Sequence, residues 1–179
     1  MATPTTLPAS FTAGQVLTAA QQNALRGAFR VLQVVSTSKT DTFTTASTSF
    51  VDVTGLTVTI TPQSATSKIL VLAQLGASSD FGVSAGFARL VRGATAIDVG
   101  DTAGSRTSAS INPEVSNASA AMTNSLVFLD SPATTSATTY AIQARTNSGN
   151  FYVNRSKTDT DSSSYPRLAS TITVMEISA

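Results

Sequence analysis

Leu56-Thr-Val-Thr-Ile-Thr-Pro-Gln-Ser-Ala-Thr-Ser-Lys-Ile-Leu-Val-Leu-Ala-Gln-Leu75 carries two unlike strand signals on either side of a polar interval. From Leu56 to Ile60, apolar residues alternate with Thr at a period of two. That period puts one set of side chains on a buried face and the other in water. From Lys68 to Leu75 the run is almost continuously apolar, the pattern of a central strand covered on both faces. Both readings place the chain in the β class.

The same signals continue downstream. Phe87-Ala-Arg-Leu-Val91 and Thr95-Ala-Ile-Asp-Val99 flank Arg92-Gly93-Ala94, which predicts a tight hairpin. Ser125–Leu129, Thr139–Arg145, Phe151–Val153 and Ser170–Ile177 supply further strands, and Asn147-Ser-Gly-Asn150 reads as a turn between two of them. Strands recurring every ~8 to 12 residues, with polar turns and no interleaved helices, predict an antiparallel β-sandwich of jelly-roll type over residues 31–179. The stretches Gly100–Asn124 and Lys157–Pro166 read as long loops of small residues, where a rigid sandwich would carry its binding function.

Upstream of Arg30 the character changes. Pro4, Pro8 and several Thr residues favour an extended strap to about Ala13. Gly14–Phe29 then holds the one helical pattern, with Thr18-Ala-Ala-Gln21 as a capping box. Leu25, Ala28 and Phe29 share a face, with Leu17 and Ala24 at its edge. So short a helix is marginal alone in water, so residues 1–30 are expected to dock on something. Leu17, Leu25 and Phe29 are the candidate docking residues.

Composition narrows the function classes. Ser and Thr make up roughly 30% of the 179 residues, against 12% charged residues and a net charge of +1. A hydrophobic fraction of 41% supplies a core, which argues against disorder. The scattered 11 basic residues form no stripe for phosphates, so nucleic acid is not an expected partner. No apolar run reaches the ~18 residues of a membrane span and no signal-peptide pattern opens the chain, so no membrane insertion and a soluble product made in a cytoplasm are expected.

Catalytic motifs fail on context. Gly82-Val-Ser-Ala-Gly86 has the spacing of a nucleophile elbow, but the sequence contains no His to act as base, and Phe87–Val91 reads as strand where an elbow needs a helix. Ser36-Thr-Ser-Lys39 fits S-x-x-K in a Thr-rich β region and reads as surface. With neither His nor Cys, zinc-type sites have no ligands. Asp98 with Asp101, or Asp159 with Asp161, offers carboxylates for calcium, but neither spacing matches an EF-hand loop and solvated loop acids are the simpler reading. A polysaccharide hydrolase would need a carboxylate pair, and Glu114 and Glu176 are the only glutamates. No catalytic, cofactor-binding or metal residues are therefore assigned, and a non-enzymatic role is expected. Tyr152, Tyr165 and Asn154 are the candidate contacts for a glycan, against a simpler reading in which Phe151 packs in the core and Tyr152 on the surface.

Two regions, the N-terminal segment and the β region, carry a resemblance. Phe11-Thr-Ala-Gly-Gln-Val-Leu-Thr-Ala-Ala-Gln-Gln-Asn23 resembles the N-terminal segment of tailed-bacteriophage virion proteins of the tail fibre, head fibre and minor tail type. Val31–Phe43, Ser67–Val71, Leu129–Pro132 and Ile172–Ile177 are similar to the Thr-rich heads of those proteins. The resemblance implies a structural protein of the virion, often a homotrimer, with the N-terminal segment held by capsid or tail proteins and the β head turned outward for host attachment, on occasion to a host surface glycan. It leaves a capsid decoration or cement protein as the alternative.

Overall fold

The computed structural model describes residues 13, 14, 16, 18, 19, 30–80, 86–115 and 117–178. Leu17, Leu25, Phe29 and nearly all of the expected strap and helix lie outside the described residues, as do Gly82–Ala85.

Among the described residues ten strands follow one another: β1 (Val31–Lys39), β2 (Phe43–Thr45), β3 (Val51–Ile60), β4 (Lys68–Ser79), β5 (Gly86–Arg92), β6 (Thr95–Ile97), β7 (Met122–Asp130), β8 (Thr138–Thr146), β9 (Phe151–Val153) and β10 (Ser170–Ile177). Both β10 and β9 pair along β4, first Ile177–Thr171 against Lys68–Gln74, then Val153–Phe151 against Ala77–Ser79. β1 pairs β10 as β2 pairs β9. Each short strand thus continues its longer neighbour after an interruption. Counting each such couple as one strand leaves two antiparallel sheets, β1-β10-β4-β7 and β3-β8-β5-β6. Consecutive strands alternate between the layers except at the β5–β6 hairpin, which is the double Greek key of a jelly roll.

The alternation at Leu56–Ile60 holds: Leu56, Val58 and Ile60 are buried while Thr57 and Thr59 face water. They meet Ile69, Val71 and Leu75 of β4, Leu90 of β5, Ile142 of β8, and Ile172 and Val174 of β10 in the single core. The β5–β6 turn also forms as expected, with Gly93 at φ +57 in a two-residue connection between the paired Arg92 and Thr95. The reading of β4 needs correction. It is central, flanked by β10 and β7, but it is covered on one face only along its first half. Ile69, Val71, Ala73 and Leu75 point into the core, whereas Leu70 and Leu72 are half-exposed and Gln74 is exposed. The sandwich has two layers, so the continuous apolar run reflects an apolar outward face and not a third layer.

The two ends of the sandwich differ. At one end the chain enters β1, where Arg30 N–H donates to Ser178 Oγ and Ser178 N–H to Arg30 O, each at 2.9 Å. β1 then runs nine residues, ~30 Å, toward the far end, where Lys39 pairs Ser170 and β2 and β9 carry the layer on to Ser79. The interruptions at Thr40–Thr42 and Asn154–Ala169 both open at that far end.

Candidate functional site

The far end is organised by Asn154. It follows β9 in the left-handed region at φ +61, a conformation that Asn tolerates better than most residues, and it is fully buried. Its Nδ2 donates to Lys39 O and Asp41 O, both at 2.9 Å, and its Oδ1 accepts from Ser170 Oγ at 2.6 Å. Its backbone N–H reaches Gly76 O, and its carbonyl accepts from Leu168 N–H. One side chain thereby closes the breaks in both interrupted strands and ties off the loop 154–169 at its base. This corrects the expectation for Asn154: its amide is consumed inside the fold and presents nothing to a glycan.

Tyr152 is corrected in the same way. It is 7% exposed, with Arg155 stacked over its ring at 4.7 Å, and its hydroxyl donates to Asp80 Oδ1 at 3.0 Å. Burial and the neighbouring Asp80 carboxylate raise the phenol pKa. Asp80 also accepts Asn150 N–H at 2.9 Å and pairs with Lys157 at 3.2 Å. Burial pushes its carboxyl pKa up, but the donors from Tyr152, Lys157 and Asn150 outweigh that and hold it below the ordinary range. The predicted turn at Asn147–Asn150 supplies one of these donors, and Gly149 in it is at φ +65 with no room for a Cβ, which would lie 2.5 Å from Asp80 Oδ2.

The loop beyond Asn154 is held by charge. Arg155 donates to Ser156 O and Lys157 O, so its guanidinium folds the chain around itself. It also reaches Asp159 at 3.2 Å, and Arg167 from the returning side closes on the same carboxylate. The Arg167 hydrogen bond above all holds the Asp159 carboxyl pKa below its ordinary value. Thr158 N–H joins Ala118 O at 2.9 Å, so this loop leans on the other long loop.

Between its two limbs lies a cleft of about 250 Å³, lined by Asp159–Ser162 on one side and Tyr165–Arg167 on the other. Tyr165 is half-buried in its wall. It is the one candidate glycan residue that the structure leaves facing a cavity. The chemistry there suits binding: an aromatic ring, hydroxyls from Thr160 and Ser162, an Asp159–Arg167 ion pair and the Asp161 carboxylate. Arg155, Arg167, Asp80 and Lys157 were missed in the sequence reading. For the three in the loop the signal is local charge density, since Arg155, Lys157, Asp159, Asp161 and Arg167 crowd 13 residues of a chain that is 12% charged, whereas Asp80 stands alone in its stretch.

Other sequence candidates disperse. Ser36 faces outward with its hydroxyl 2.8 Å from Thr173 Oγ1, while Lys39 is buried on the opposite face of β1 and pairs with Asp41 at 2.7 Å. The S-x-x-K reading as surface is thus corrected at Lys39. Glu176 is buried, with Oε2 accepting from Gln33 and Oε1 from Gln63 N–H. Asp159 is taken up by two arginines, and among the described residues no three acidic side chains gather in a form able to hold a metal. No helix among the described residues is long and apolar enough to cross a membrane. Comparison with protein-family models finds no match for this chain, and comparison with curated proteins finds none either.

Proposed function

We propose that this chain is a structural protein of a bacteriophage virion: a homotrimeric appendage, of tail or head fibre type, held to the particle through residues 1–30 and presenting the far end of its jelly roll for host attachment. The observation that carries this reading is the polarity of the sandwich. The chain enters at one end, at Arg30, and the loop 154–169 with its cleft projects from the other, ~30 Å away. This separation supports a reading in which attachment is made through the Arg30 end and host contact at the other. The role is non-enzymatic, in keeping with a chain that lacks His and whose buried Glu176 has both oxygens occupied. The cleft beside Tyr165 has the volume for a single sugar ring, below the ~300 Å³ at which drug-sized sites begin.

Quantitative mass spectrometry of purified particles tests the assignment. A few trimers per particle supports an appendage. Hundreds of copies would make the chain a capsid decoration protein, and absence from particles would overturn a virion role.

A further inference from the structure

Among the described residues, the outward face of the β1-β10-β4-β7 layer carries most of the exposed large hydrophobic side chains. Register places Val34, Met175, Leu70 and Leu129 side by side in one row across all four strands. Ser36, Thr173, Leu72 and Val127 form the next, and Val31 lies beside Ile177 at the chain entrance. Of the six large hydrophobic residues that stand exposed among the described residues, four belong to this face: Val31, Val34, Val127 and Leu129, the last two 66% and 55% exposed. Across the paired stretches 34–38, 68–74, 123–129 and 171–177, Lys68 at the corner is the one charge on this face.

The other layer shows that this chain can solvate a sheet face. There Arg89 donates to Gln143 and Gln143 to Asp52, with Thr57 and Thr59 beside them. The contrast within one sandwich marks the first face as a contact surface. β7 adds to it. It has one pairing partner among the described strands, β4, and no charge before Asp130, so it lacks the Lys, Pro or bulge that usually blunts an open edge.

We propose that this face is where copies of the chain pack on one another. A face whose one charge sits at a corner is compatible with itself, since self-contact over its Val and Leu rows strands no ion against them and can leave Lys68 in solvent. Four strands by nine residues give roughly 19 Å by 30 Å, near 600 Å², and the β7 edge carries this toward the ~800 Å² per partner of a stable interface. The inference deepens the appendage reading, and rests on it only for the number of copies.

The test is sedimentation of the full chain, wild type and the variants Val127→Glu and Val34→Glu, with Thr57→Glu on the other layer as control. The wild type and the control should sediment as one oligomer at micromolar concentration, and each face variant should sediment as a monomer with an unchanged far-ultraviolet spectrum. Hydrogen exchange in Ser125–Leu129 should quicken on dilution of the wild type. A monomeric wild type, or face variants that keep the wild-type mass, would overturn the proposal. A monomer that is nevertheless found in virions would do so while leaving the virion role intact.

Discussion

Two buried side chains show how residues with polar groups are committed to the fold. Tyr140, fully buried, donates to Asp130 Oδ2 at 2.6 Å, and Arg92 holds the same carboxylate at 2.7 Å, so one acid at the end of β7 ties the two layers together. Tyr140→Phe should lower unfolding free energy by about 1.5–3 kcal/mol in urea titration, because the carboxylate loses a charged-group hydrogen bond inside the core. Asn154→Ala should cost about 2–4 kcal/mol, leaving Lys39 O, Asp41 O and Ser170 Oγ without the side-chain partner and placing at positive φ a residue that tolerates it less well than Asn. Asn154→Gly relieves only the backbone part, so it should fall between wild type and Ala; equal stability of all three would contradict the structural role. Nothing in the local pattern Phe-Tyr-Val-Asn distinguishes a displayed Asn from a buried one. Asn154 is buried because two interrupted strands converge on it from distant sequence, which no single window records.

At the scale of elements, strand type was legible wherever one face met the core and the other met water. Leu56–Ile60 and Ser170–Ile177 show this, because alternation follows directly from the pleat. β4 was misread because apolar residues on its open face copy the pattern of a doubly covered strand. Only the pairing partners on either side, and the missing third layer, separate the two. β10 carries a different burden through Glu176 on its inner face. Burial pushes this carboxyl's pKa up, but donors from Gln33 and from the 61–67 loop, including Gln63 N–H, outweigh burial and hold it below the ordinary glutamate value. A group with a depressed folded pKa stabilises the fold at pH above its unfolded value, about 4.3, and that contribution is lost as pH falls through the folded value. Glu176→Gln should therefore be less stable than wild type at neutral pH, by about 1–3 kcal/mol, and should lose less stability on acidification below ~4.3. Thermal melts across pH 7 to ~2.5 check this; parallel pH dependence in the two proteins would refute it.

For the whole molecule, the sandwich class was readable from strand spacing, while the far-end cleft was not, because its walls are brought together by ion pairs across the loop 154–169. Tyr165 was identified as a residue of interest, but the arginines that shape its surroundings gave only a rise in charge density. Arg167→Ala removes one of two guanidiniums on Asp159, so it should loosen the loop while leaving the melting temperature within about 2 °C, since exposed ion pairs contribute little to global stability. Proteolysis within 157–166 should quicken in this variant; an unchanged cleavage rate would deny the ion pairs their role in holding the loop. In the proposed polarity, residues 1–30 would fix the protein to the particle and the far end would face outward. The most direct measurement is the amount of a chain lacking residues 1–30 in purified particles, with circular dichroism of the same protein. The account predicts a folded β head absent from particles; incorporation at the level of the full chain would contradict it.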